Sequence, residues 1–281
     1  MNFDAFDTTF SLGEYAAESV RRIKYYLRSS GGIGKFFAAI GTFSILMFFG
    51  VALGFSIYGF MAYSETGEQV ALLVSILFGF FFAVGLALAL HAFMRLAQAS
   101  LRMKQFAAQN KLTFLPYVAL RENQGPAFSV QTRRIARNGV AGVVGTNNFW
   151  LFEYRFISGT GRHPYPNIFT AFMIELENDL SSMLIYNKKG RLKMIRPPKN
   201  MKKVSPWPSL KNMISVYSET ANSSSTTRSV WSEQTMLELL AIYPRAEVQI
   251  WGSTVTIFLP GIIQPDTRQA KGLFELIKRL S

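Results

Sequence analysis

The chain has 281 residues, 49% hydrophobic and only 17% charged, with 25 Phe; a charged share this far below the ~25% of ordinary soluble domains argues against a wholly water-exposed protein. Net charge is +13, and from Ala99 onward 24 Lys and Arg stand against 11 Asp and Glu, so this part alone carries the excess. With no Cys and two His, disulfides, thiolate metal sites, a Cys nucleophile and a three-His zinc site are excluded, and no cofactor is expected.

In "SLGEYAAESVRRIKYYLRSS", Leu12, Tyr15, Ala16, Val20, Ile23 and Leu27 recur at helical spacing. Acidic residues come early and basic ones late, as the helix dipole favours. An amphipathic helix is expected, lying either on a membrane surface or on the domain that follows. "GGIGK" at 31–35 is not a phosphate loop. That motif needs a Gly five positions before its final Gly-Lys and a Ser or Thr after it, where this chain has Ser29 and Phe36.

Residues 36–62, "FFAAIGTFSILMFFGVALGFSIYGFMA", hold no charge, and residues 70–94 hold only His91 as a potential one. A hydrocarbon core of ~30 Å needs about 20 helical residues, so each stretch is long enough to span it. The seven residues between them carry Glu65 and Glu68 and nothing basic. Arg21, Arg22, Lys24, Arg28 and Lys35 precede the first stretch, and Arg95, Arg102, Lys104 and Lys111 follow the second. Basic flanks stay in the cytoplasm, so the expectation is a multi-pass hairpin in the cell membrane with the N-terminal segment and the C-terminal domain both inside. Neither stretch fits a cleaved signal, whose apolar part is shorter and nearer the N-terminus.

Small residues suggest how the hairpin closes. Ser75, Gly79, Ala83, Ala87 and His91 recur every four residues in the second stretch, and Gly50 and Gly54 form a G-x-x-x-G in the first. Such residues allow close helix approach in lipid. Packing within the hairpin is the first expectation and a homo-oligomer seam the second. His91 is expected at the headgroup level, with no carboxylate partner for a proton relay.

A helical connector is expected over 95–111, then a domain over 112–281. "KLTFLPYV" and "GPAFSVQTRRI" read as strands. "NNFWLFEYRFISG" alternates Phe149, Leu151, Glu153 and Arg155 with Trp150, Phe152, Tyr154 and Phe156. "IFTAFMIEL", "SMLIYN", "LKMIR" and "NMISVYSE" continue the series, with "NKKG" as a hairpin turn. "TANSSSTTRS" is a polar loop and "SEQTMLELLAIY" a helix ended by Pro244. "AEVQIWGSTVTIFLPG" reads as a hairpin turning at Gly252-Ser253, and "PDTRQAKGLFELIKRL" as a final helix capped by Asp266. The expected fold is a two-helix membrane hairpin followed by a cytoplasmic α+β domain rich in antiparallel strands.

"FAAQNKLTFLP", "FEYRFISGTGR" with "FTAFMIEL", and the run from "MISVYSE" to "TIFLPG" resemble a family of bacterial membrane proteins with two spans ahead of a β-rich cytoplasmic domain. The resemblance covers most of the chain after about Gly34, implies the same helix–hairpin–helix ending, and supplies no activity or functional residues.

No catalytic pattern stands out. His163 lies in a turn-rich loop without a local partner, and Glu175, Glu177 and Asp179 read as a solvated strand edge, though paired carboxylates can bind a cation. "GVAGVVGTNN" lacks dinucleotide spacing. The salient feature is 187–211, where Lys188, Lys189, Arg191, Lys193, Arg196, Lys199, Lys202, Lys203 and Lys211 occur with no Asp or Glu. Anionic headgroups of the bilayer to which the domain is tied are the expected partner, worth ~1 kcal/mol per basic residue. Plain solvation, a protein partner and nucleic acid are the other readings, nucleic acid ranking below the leaflet because it gains nothing from the tether. The function expected is a basic binding or scaffold module at the inner face of the membrane. The alternatives are a tethered enzyme with a site around Glu153, His163 and Glu175, and a tethered nucleic-acid-binding module.

Overall fold

The computed structural model describes residues 1–2, 9–29, 32–121, 124–129, 134–158, 165–190, 192, 195–219, 231–261 and 267–279. The chain divides into two units, Thr9–Leu101 and Arg102–Ser281 with Met1–Thr8.

The first unit is helical: α1 (Leu12–Ser29), α2 (Gly32–Thr66) and the greater part of α3 (Gln69–Gln109). A reciprocal capping box starts α1: the Ser11 N–H donates to the Glu14 carboxylate at 2.8 Å, and the Glu14 N–H donates to Ser11 Oγ at 3.3 Å. Tyr15 of α1 clusters with Ala97 and Leu101 of α3, beside Phe10 and Met94. Of the expected apolar face of α1, Tyr15 packs on α3, whereas Ala16 and Val20 are exposed. Helices α2 and α3 run antiparallel, joined at Gly67, whose φ of +70° suits glycine. Met47–Thr66 and Gln69–His91 are long and apolar enough to cross a membrane, and only 11% and 6% of their apolar windows are buried within the protein.

The second unit is α+β, with seven antiparallel strands: β1 (Thr113–Tyr117), β2 (Ile135–Val144), β3 (Asn147–Ser158), β4 (Tyr165–Asn187), β5 (Lys202–Val204), β6 (Ile214–Ser218) and β7 (Glu247–Pro260). Its helices are one turn, α4 (Pro126–Ser129), then α5 (Glu233–Ile242) and α6 (Thr267–Lys278). Ser232 caps α5 by accepting from the Thr235 N–H at 3.1 Å. The order β1-β2-β3-β4-β6-β5 leaves β7 to pair along β4, whose other edge holds β3 and then β6.

Both faces of the sheet are buried, which explains why aromatic residues occupy both phases of β3. Phe149 and Leu151 join Phe172 and Ile174 under α5, α6 and the last turns of α3, where Phe106 meets Phe274. Phe152, Tyr154 and Phe156 join Phe169, Ala171 and Met173 on the opposite face. Val118, Ala127, Phe128, Leu192, Ile195 and Met201 cover that face from the segments after β1 and β4. Diagonal cross-strand stacks, Phe149 on Phe172 and Phe156 on Phe169, fix the register on the two sides.

Four expectations are corrected here. "GPAFSVQTRRI" is not one strand, because Pro126–Ser129 forms a helical turn and β2 starts only at Ile135. "IFTAFMIEL" and "SMLIYN" are parts of one 23-residue strand, β4. "NKKG" does turn, with the Gly190 N–H donating to the Asn187 carbonyl at 2.8 Å, but β6 rather than "LKMIR" pairs with the end of β4. Leu192 and Ile195 instead drop into the core as a tight turn. Finally, "AEVQIWGSTVTIFLPG" is no hairpin: β7 runs unbroken for 14 residues beside β4, so the chain closes helix–strand–helix. The polar loop over 220–229 and the Asp266 cap lie outside the described residues.

The two long strands share two adjacent register shifts, between Glu175 and Leu180 and between Leu180 and Met183 of β4. Glu175 pairs with Thr254 and Leu180 with Gly252, so five steps on β4 match two on β7. Leu176 to Asp179 bulge out of the ladder, and Gly252 takes a φ of +56° across from them. β7 changes its inward phase across the first shift and β4 across the second. Before it, odd-numbered β4 residues face the Phe152 side; after it, Leu184 and Tyr186 do.

Candidate functional site

Of the nine basic residues in 187–211, seven are described, and all seven are exposed: Lys188, Lys189, Arg196, Lys199, Lys202, Lys203 and Lys211. Arg191 and Lys193 lie outside the described residues. Lys202 and Lys203 stand on β5, the outermost strand, and, as neighbours, point to opposite faces. The Lys188 ammonium donates to the Lys211 carbonyl at 2.8 Å, tying the two ends of the run together. Lys189, Arg196, Lys199, Lys202 and Lys203 form no ion pair with a described residue. The described part of the stretch is therefore an exposed cationic edge, five of whose charges have no ion pair among the described residues.

Part of the expected set of small residues lies where the hairpin closes. Ser75 and Gly79 lie at the contact, whereas Gly50 and Gly54 have nothing within 4 Å of where a Cβ would stand, and Ala83 and Ala87 are exposed. The partners on α2 are Ser56 and Gly59. Ser56 Oγ donates to the Ser75 carbonyl at 3.0 Å, and Ser75 Oγ returns a bond to the Ser56 carbonyl at 2.7 Å. A Cβ on Gly59 would fall 2.8 Å from the Ala71 carbonyl oxygen. Ser75 and Gly79 of the four-residue stripe thus face α2, and the G-x-x-x-G of α2 does not face α3. The serine pair at Ser56 and Ser75 was the better signal. His91 is exposed at the end of its apolar stretch.

Glu153 and Glu175 do not come together. Glu153 pairs with Thr170 on the helix-covered face, while Glu175 pairs with Asn148 and Thr254 on the other. The two carboxylates are on opposite sides of the sheet, and His163 lies outside the described residues. Glu153 is 5% exposed and fully engaged: Arg137 donates to it at 3.0 and 3.1 Å, Asn138 at 2.9 Å, and Arg155 binds it as well. Burial alone would raise its pKa, but the two guanidiniums outweigh it and hold the carboxyl below its ordinary value. This is a structural cluster. Burial also raises the pKa of Tyr154, whose hydroxyl donates to the Ala127 carbonyl.

A cleft of about 560 Å³ opens at the shared bulge of β4 and β7, walled by the end of β1 and the segment after it. Its lining includes Tyr117, Trp150, Trp251, Glu175 and Asp179, with Arg121 the one cation among the described lining residues. Gln249 braces the wall. Its side-chain carbonyl accepts from the Ala127 N–H at 2.9 Å and its amide donates to the Gln124 carbonyl at 2.8 Å. Gly125 between them has a φ of +114°, and a Cβ there would meet Gln249 at 2.4 Å, so the brace requires glycine. The volume lies in the range of small-molecule sites, ~300–1,000 Å³. Sequence reading singled out Glu175 and Asp179 but not the indoles. Trp150 and Trp251 are 101 positions apart, and only the phase change at the bulge turns Trp251 and Thr254 to the same side.

No family model matches the chain, and no curated protein matches it, so the resemblance to two-span bacterial membrane proteins stands on the residue pattern alone. Among solved structures, the crystal structure of the mycobacterial trehalose monomycolate transport factor A, TtfA, is similar at 11% identity and a TM-score of 0.44. The match covers 65% of this chain and 93% of that one.

Proposed function

We propose that this chain is an integral protein of the cell membrane. On this reading α2 and α3 cross the bilayer as a hairpin, both chain ends lie in the cytoplasm, and the Arg102–Ser281 unit is a basic binding module held at the inner leaflet. Support for the spans comes from large apolar side chains that remain exposed along both helices, among them Phe48, Phe60, Phe80 and Leu88. Support for orientation comes from Lys and Arg on both flanks and Glu65 and Glu68 in the turn.

The observation that carries the role of the module is the cationic edge on which Lys189, Arg196, Lys199, Lys202 and Lys203 are exposed, with no ion pair among the described residues. Near an anionic leaflet each contributes ~1 kcal/mol within a Debye length of ~8 Å, and the tether supplies the proximity. The absence of Cys permits a direct test. A fluorophore on Met213→Cys, an exposed turn position beside Lys211, is read against a lipid-borne quencher with the full chain in nanodiscs. Quenching is expected in anionic but not neutral bilayers, weakening with salt and on joint Lys199→Gln, Lys202→Gln and Lys203→Gln substitution. Equal quenching in both bilayers would overturn the leaflet reading.

A further inference from the structure

We infer that the cleft at the β4–β7 bulge binds a small organic cation, an alkylammonium with an apolar body, held between the indoles of Trp150 and Trp251 and the carboxylates of Glu175 and Asp179. The argument begins with charge. In a domain with 24 basic and 11 acidic residues, a carboxylate has many chances to find a partner, and most of the described ones have done so. Glu153 binds Arg137, Arg155 and Asn138; Glu219 accepts from Asn200, Glu233 from Ser209, Glu238 from Arg279, and Glu247 from the Leu192 N–H. Among the described residues Glu175 and Asp179 have no such partner, as is true of Glu177 and Glu275, although Arg121 lines the same cleft. Of these four, Glu175 and Asp179 are the two that face one cleft on an otherwise cationic domain.

The walls point the same way. Trp150 and Trp251 are half-buried at the margin of the core, so each is held firmly while keeping part of its surface open, the arrangement in which an indole face attracts a cation. Tyr117 adds a third ring. The bulge is what assembles these groups. It displaces Asp179 to within 3.6 Å of where a Gly252 Cβ would stand, and the matching phase change on β7 turns Trp251 inward. A regular pair of strands would hold neither group there. This inference does not depend on the membrane reading, because the cationic edge and the cleft use different residues.

The test uses the full chain in nanodiscs of neutral lipid, which keeps amines from binding the bilayer. Tryptophan fluorescence is titrated with 1,6-diaminohexane and, in parallel, with the neutral 1,6-hexanediol. A saturable, salt-sensitive change with the diamine and none with the diol is expected. Glu175→Gln and Asp179→Asn should each weaken diamine binding about tenfold, the usual effect of losing one charge-assisted bond. Glu275→Gln, which removes an exposed acid on α6, should change nothing. Equal response to diol and diamine, no saturation by either up to millimolar concentrations, or equal effects of all three substitutions would each overturn the proposal.

Discussion

Glu153 illustrates how a residue suited to chemistry can be spent on structure. Its carboxylate is enclosed by two arginines and Asn138 at a β2 irregularity, where Asn138 itself takes a φ of +52°. Glu153→Gln should lower unfolding stability by about 2 kcal/mol, since guanidiniums are left against a neutral amide. Because the folded pKa lies below the ordinary 4.5, the stabilisation is complete above that value and is lost as pH falls through the folded one. Urea unfolding at pH ~5 and pH ~3 should therefore show wild type losing more stability than the variant. Lys111 makes a second case. It caps α3 in the left-handed region at φ +57°, with the Leu112 N–H bonded to the Ala107 carbonyl at 2.8 Å in a Schellman arrangement. Lys111→Gly should raise stability by about 1 kcal/mol, read in the same unfolding experiment.

The hairpin makes the sharpest prediction for an element. Gly59→Ala drives a Cβ into the Ala71 carbonyl and should cost about 1–3 kcal/mol of thermal stability in detergent. Gly54→Ala meets nothing within 4 Å and should be neutral or slightly stabilising through helix propensity. Length and apolarity alone revealed both helices, because few soluble structures need such stretches. The long strands were harder. Gly252-Ser253 on β7 and "ENDL" on β4 interrupt the alternation, and a hairpin turn and a bulge ask for the same residues: a glycine with positive φ and polar neighbours. What separates the two is the partner strand, which a local pattern does not contain. The matching interruption on β4 was the clue, since two strands that break their period together can stay paired. "LKMIR" failed for a different reason: Leu192 and Ile195 serve a core-filling turn, and apolar spacing over five residues fits a turn as well as a strand.

The chain as a whole combines two kinds of surface. One unit exposes apolar helices, and the other exposes cations at the β5 edge and holds an acidic, aromatic cleft at the β4–β7 bulge. Composition announced the first two, since apolarity and charge are additive along a sequence. The cleft was not readable, because it depends on residues from four separate segments and on a change of strand phase. The central claim is the crossing itself, and the lack of cysteine makes it testable with single substitutions. We would label Ser64→Cys and Met213→Cys variants in intact cells with a membrane-impermeant maleimide. Labelling of Ser64→Cys in intact cells, with Met213→Cys labelled only after lysis, is the predicted result; labelling of Met213→Cys in intact cells, or protection of both sites from the reagent until lysis, would contradict it.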